Sequence, residues 1–234
     1  MAAKSRFLSL LSAKGNKILG VAKNYSKSAE ETLALRSKEP VAFQKPLTSL
    51  VHKPNKLSLQ TRSELLVESE LAIIIGKEGK NISLENANDF IGGYALACDF
   101  TSTRVMWYRQ NGYDFIGAKC MDGFTPIGDF IDRETLGDYN DIDLTCEVFD
   151  GNGEKKLNGF SGHSSEMVYK IPEQIKFFSE GTTLCVGDII LTGTPLNCVV
   201  ENGCVVRLGL MKAGKVLDEM RFELGIEQIP EWKS

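Results

Sequence analysis

Leu65-Leu66-Val67-Glu68-Ser69-Glu70-Leu71-Ala72-Ile73-Ile74-Ile75-Gly76 decides the reading of this 234-residue chain. The stretch is rich in β-branched residues and stops at glycine, which predicts a strand. Residues i and i+2 of a strand share a face, so Glu68 and Glu70 project side by side from an otherwise apolar element. Paired carboxylates beside an apolar run are costly unless a cation or hydrogen bonds compensate. The next apolar stretch, Tyr94-Ala95-Leu96-Ala97-Cys98-Asp99, ends on a third carboxylate. If the two strands are neighbours, Glu68, Glu70 and Asp99 meet. Three oxygens plus waters suit Mg²⁺ or Mn²⁺, hard cations that keep part of their hydration. The alternative is a solvated face, with Asp99 capping a strand end.

Outward from this stretch the pattern is β-dominated. Strands are expected over 17–21, 41–44, 92–99, 142–149 and 185–192. Asp150-Gly151-Asn152-Gly153 reads as a hairpin turn, and Lys212-Ala213-Gly214-Lys215 as another between 205–210 and 216–224. Helices are expected over 26–36, over 83–90 with Ser83 as N-cap, over 101–110, and over 165–179 with Pro172 ending or kinking its first part. The sum is an α+β protein with few helices, not an alternating βαβ chain. It reads as one domain, 17–234, preceded by an extension, 1–16. That extension carries Lys4, Arg6 and Lys14 among Phe7, Leu8, Leu10 and Leu11 and no acidic residue. It reads as a mitochondrial targeting segment or a partner-binding segment, with the cytosol as the other location.

Composition excludes several classes. Lys and Arg number 27 against 31 Asp and Glu, and a net charge of −4 argues against nucleic acid as a partner. No apolar run approaches the roughly 20 residues of a membrane-spanning helix. The six cysteines show no Cys-x-x-Cys spacing and histidines number 2, which argues against a zinc site and for reduced, buried thiols.

Two further segments carry chemistry. Lys119 lies among small and apolar residues. It is either a surface residue with a snorkelling stem or, beside a metal, a group that holds a substrate carboxylate or enolate. Thr192-Gly193-Thr194-Pro195 forms a tight turn that either offers donors to an anion or is only a turn.

In order along the chain, Glu68-x-Glu70, Asp99, Ala118-Lys119 and Gly187-Asp188-Ile189-Ile190-Leu191-Thr192-Gly193-Thr194-Pro195 resemble the fumarylacetoacetate hydrolase family. Val21-x-x-Asn24-Tyr25, Glu39-Pro40-Val41-x-Phe43-x-Lys45-Pro46, Ser165-x-Met167 and Ile171-Pro172 are similar to its small mitochondrial acylpyruvase and oxaloacetate decarboxylase members. The resemblance spans residues 17–225. It implies a β-rich fold on a rolled mixed sheet, a homodimer, and Mg²⁺ or Mn²⁺ held by Glu68, Glu70 and Asp99. It implies a small keto-acid substrate, Lys119 neutralising an enolate, and Thr192, Gly193 and Thr194 binding substrate. In the family a His–Glu pair on the first helix activates water for carbon–carbon hydrolysis.

This chain departs from that pattern in three places. Ser28 stands at the histidine position, with Glu31 retained as the catalytic carboxylate. A serine hydroxyl does not titrate near neutrality and cannot replace imidazole as a base. Thr101-Ser102-Thr103-Arg104-Val105-Met106 offsets the substrate-gripping arginine and replaces the glutamine by Met106. Leu196-Asn197-Cys198-Val199-Val200 stands for the usual Gly-Val-Gly. Two expectations follow. One is a metal-dependent hydrolase or lyase of small keto-acids, with oxaloacetate decarboxylation or tautomerisation demanding less than acylpyruvate hydrolysis. The other is a catalytically impaired pseudoenzyme kept as a subunit of a larger, mitochondrial assembly.

Overall fold

A computed structural model describes residues 17–36, 39–103 and 115–230. The strands are β1 (Ile18–Ala22), β2 (Val41–Lys45), β3 (Leu50–His52), β4 (Lys56–Thr61), β5 (Leu65–Ile75), β6 (Ile91–Ser102), β7 (Thr125–Ile127), β8 (Asp143–Phe149), β9 (Lys156–His163), β10 (Ile189–Leu191), β11 (Asn197–Val200), β12 (Val205–Lys212) and β13 (Lys215–Gln228). The described helices are short: α1 (Ala29–Arg36), α2 (Phe115–Lys119), α3 (Arg133–Leu136) and α4 (Ile171–Ser179).

The strands form two sheets. One has eight strands in the order β2-β1-β10-β5-β6-β7-β3, with β11 also paired to β5; the other has the order β4-β13-β12-β8-β9. Both are mixed: β1 runs parallel to β10, β3 to β7 and β4 to β13, and the remaining pairs are antiparallel. The expected β-rich mixed-sheet fold with few helices is therefore observed. The continuous apolar run of β5 follows from burial on both faces. Leu71, Ile73 and Ile75 face the main core between the sheets, with Leu96, Cys98 and Phe100 of β6. Ala72 and Ile74 face a second cluster on the other side, with Ala95, Ala97, Phe43 and Ile127. Glu68 and Glu70 continue this second face.

Both expected hairpins form, β8–β9 and β12–β13. Four local expectations need correction. Residues 83–86 are turns rather than helix, and only Ala87–Phe90 forms a 3₁₀ segment. Ser83, expected as an N-cap, instead accepts the Asn86 N–H on its carbonyl, an i→i+3 closure that asparagine-rich segments favour over helix. Thr101 and Ser102 continue β6 rather than starting a helix; residues 104–110 of that expected helix lie outside the described residues, as does the extension 1–16. The expected helix over 165–179 begins only at Ile171, because Pro172 fits a first helical turn and Val168 and Tyr169 give their N–H groups to Asn24. Strand β10 begins at Ile189 rather than 185, because Gly187 has φ +91° and Asp188 folds back to accept from Cys185 N at 2.8 Å. The six cysteines are free thiols. No helix among the described residues is long and apolar enough to cross a membrane.

Candidate acidic centre

The antiparallel pairing of β5 and β6 sets Glu68 directly opposite Asp99 and Glu70 opposite Ala97. The strand period then brings all three carboxylates to one face. One oxygen from each of Glu68, Glu70 and Asp99 lies within 4.8 Å of the others. Asp99 and Glu70 are buried and Glu68 is half-buried.

Two ammonium groups meet these acids. Lys119, the last residue of α2, pairs through Nζ with Asp99 Oδ2, lies 3.0 Å from Glu68 Oε2 and donates to Thr101 Oγ1 at 2.7 Å. Its Nζ also stands 4.4 Å from the centroid of the Phe43 ring. Lys45, at the end of β2, pairs with Asp99 Oδ1 and donates to the Phe124 carbonyl at 2.6 Å. Sequence reasoning assigned Lys45 no role. The available signal was a lysine two residues after Phe43, on the buried phase of a short strand.

The charges resolve unevenly. Burial alone pushes the Asp99 carboxyl up, but Lys119 and Lys45 outweigh it and hold it below the usual carboxylate range. Burial pushes Lys119 down, yet Asp99 and Glu68 win and keep it firmly protonated. Burial dominates at Lys45 and draws it below its ordinary value. Glu70 is pushed well above the usual range, first by burial and then by the Asp99 and Glu68 charges. Among the described residues its carboxylate receives one hydrogen bond, from the Gly193 N–H at 2.6 Å.

This donor set fits a hard divalent ion. Three carboxylates face two ammonium groups, the oxygens lie within reach of one centre, and Glu70 has little other compensation. A cavity of about 210 Å³ opens beside the acids, walled by Val21, Val41, Phe43, Leu66 and Phe115 and by polar Thr194 and Asn197.

The other expected site residues divide. Gly193 and Thr194 border the cavity, but the Gly193 N–H is committed to Glu70. Thr192 is buried, and its hydroxyl donates to the Leu71 carbonyl at 2.8 Å rather than facing the cavity. Glu31 is not among the residues that line this cavity. It is exposed on α1, a helix that buries none of its residues, and its carboxylate accepts from Ser26 Oγ at 2.7 Å. Neither histidine replaces the missing imidazole. His52 contacts Asp129 at 3.1 Å, and His163 contacts Ser165 Oγ at 2.7 Å and Asp141 at 3.4 Å. Arg104 and Met106 lie outside the described residues.

Comparison with known proteins places this geometry among others. A family profile described as fumarylacetoacetate (FAA) hydrolase C-terminal matches residues 17–230. The mitochondrial oxaloacetate decarboxylase of Dictyostelium discoideum is 35% identical over 201 residues, which cover 84% of this chain and 89% of that protein. A mitochondrial oxaloacetate tautomerase of Arabidopsis thaliana is 32% identical over 214 residues, covering 90% and 91%. The crystal structure of 5-carboxymethyl-2-hydroxymuconate delta-isomerase from Mycobacterium smegmatis superposes with a TM-score of 0.76 at 29% identity, covering 91% of this chain and 79% of that one.

Proposed function

This chain belongs to the fumarylacetoacetate hydrolase family, and from that premise we propose that it is a divalent-metal-dependent enzyme of small keto-acids whose reaction is oxaloacetate decarboxylation or keto–enol tautomerisation. The observation that carries the proposal is the convergence of Glu68, Glu70 and Asp99 on one face beside a protonated Lys119, with no histidine and no free carboxylate base lining the cavity among the described residues.

Glu68, Glu70 and Asp99 are the residues that would hold Mg²⁺ or Mn²⁺. A bound ion of that kind supplies Lewis-acid polarisation of a ketone. The protein's own groups do the rest. Lys119 Nζ, with its three N–H groups held by Asp99, Glu68 and Thr101, brings a fixed positive charge beside the place where an enolate oxygen would develop. The Phe43, Phe115, Val41 and Leu66 side chains exclude water from that oxygen and strengthen the attraction. In decarboxylation the bond from the methylene carbon to its carboxylate breaks, its electron pair forms the enolate, and CO₂ leaves; a solvent proton then completes pyruvate. Tautomerisation passes instead through the enolate of intact oxaloacetate: the methylene carbon gives a proton to solvent, and the enolate oxygen takes one from solvent. Neither route needs an activated water, whereas acylpyruvate hydrolysis does.

The relatives reported above bear enzyme names, which supports turnover rather than retention as an idle subunit. Their names also place them in mitochondria, and we extend that location, with the expected homodimer, to this chain as part of the proposal. The test is oxaloacetate consumption followed by NMR with and without Mg²⁺, using Lys119→Met as the control for catalysis by free metal. Equal rates in wild type and Lys119→Met would defeat the proposal.

A further inference from the structure

We propose that Asn24 is a positioning residue for the acidic centre: its side chain clamps the Thr192–Gly193 peptide so that the Gly193 N–H stays aimed at Glu70. The inference rests on the metal-centre reading above and deepens it by naming what fixes the Glu70 carboxylate.

Asn24 follows directly on Lys23, whose φ of +55° turns the chain inward after β1. It is completely buried. Its amide is fully engaged. Nδ2 donates to the Thr192 carbonyl at 2.8 Å and to the Tyr169 carbonyl at 3.1 Å, while Oδ1 accepts from Tyr169 N at 2.7 Å. An amide with both donors and its acceptor satisfied has one orientation. The Thr192 carbonyl and the Gly193 N–H are opposite ends of one planar trans peptide unit. Fixing the oxygen therefore fixes the direction of the N–H, and that N–H reaches Glu70 Oε2 at 2.6 Å. The chain Asn24–peptide–Glu70 also polarises in one sense, so each bond strengthens the next.

The packing agrees with the hydrogen bonds. Gly193 has φ +91°, and a Cβ built there would stand 2.9 Å from Asn24 Cβ and 2.9 Å from the Val21 carbonyl. The turn thus lies directly on Asn24, and only glycine lets it sit so close. Asparagine is the side chain that suits the place. Aspartate would keep the acceptor for Tyr169 N and lose both donors. Glutamine would push the turn away by a methylene.

The experiment is Mn²⁺ titration of the full chain by EPR, with the Gly193 amide proton observed by NMR. Wild type is compared with Asn24→Asp, with Asn24→Ser, which adds no buried charge, and with Gln174→Leu. Gln174 donates to the same Tyr169 carbonyl at 2.9 Å but has no bond to Thr192, so its loss disturbs the loop without touching the clamp. Both Asn24 variants should weaken Mn²⁺ binding by about tenfold or more, the range seen when residues behind metal ligands are removed. They should also move the Gly193 amide proton upfield. Gln174→Leu should lower Tm and leave both readouts in place. Asn24 variants that bind Mn²⁺ as wild type does, with an unmoved Gly193 resonance, overturn this inference alone. Equal weakening by Gln174→Leu also overturns it, because the effect is then one of general stability. Wild-type protein that binds no Mn²⁺ overturns the metal-centre reading, and this inference with it.

Discussion

The β5–β6 pair and helix α1 carry two halves of one expected machine, and the fold treats them oppositely. On β5–β6, Asp99 and Glu70 are buried and Glu68 half-buried; lysines pair with Asp99 and Glu68, and Glu70 is tied to a turn on β10's C-terminal side. On α1 every residue is at least partly exposed, and Glu31 spends its carboxylate on its neighbour Ser26. Burial is costly for charge, so a chain that buries two carboxylates and two ammonium groups beside a half-buried third acid commits stability to that arrangement. An exposed carboxylate at an ordinary helix start commits little. On the function proposed above, the buried half would serve enolate chemistry, and the water activation of acylpyruvate hydrolysis would need the exposed half.

Glu70→Ala breaks the comparison at its strongest point. It should abolish Mn²⁺ binding and lower metal-dependent oxaloacetate turnover at least about a hundredfold, a loss of a few kcal/mol in the transition state. Calorimetry and steady-state kinetics check this. Lys119→Met should lower kcat by roughly 10²–10³-fold, as loss of one charge-stabilising donor does, while Mn²⁺ still binds. Retained kcat would move the enolate chemistry elsewhere.

A pH experiment sharpens the electrostatic side. Glu70 is held protonated to higher pH in the folded chain than in the unfolded one. The folded state then binds more protons between the ordinary carboxylate value and the raised one, so Glu70 costs metal-free protein stability as pH rises through that window. Metal-free Glu70→Gln should therefore gain stability over wild type at neutral and higher pH, with the gain shrinking as pH falls through that window and gone below the ordinary carboxylate range. Denaturant unfolding at several pH values measures this; a gain independent of pH would contradict it. The smallest effect is expected on α1. Glu31→Ala should change oxaloacetate turnover by no more than about twofold, the scale of an exposed substitution. A large loss would bring the exposed half back into the reaction.

Much of this was legible in the sequence, for identifiable reasons. The strand period alone put Glu68 and Glu70 on one face, and an apolar run ending in Asp99 pointed to its partner strand. The β5–β6 register then set Glu68 opposite Asp99. Local periodicity could not show the role of Lys45, because its partner Asp99 lies 54 residues away and only sheet assembly joins them. Asn24 was hidden likewise, since its side chain reaches Thr192 across 168 residues. The expected helices over 83–90 and 165–179 shrank where asparagine closures and the Asn24 contacts offered the backbone better partners than a helix did. Glu31 was read from its place in a pattern. The exposure of α1 is a matter of packing, which spacing does not report.

The most direct test compares two substrates on one protein. Oxaloacetate and acetylpyruvate are supplied in turn to metal-loaded wild type, with product formation followed by NMR and Lys119→Met as the blank. The account predicts that oxaloacetate is decarboxylated or tautomerised in a Lys119-dependent manner, while acetylpyruvate stays intact over the same time. Lys119-dependent cleavage of acetylpyruvate at a rate matching that on oxaloacetate would contradict it.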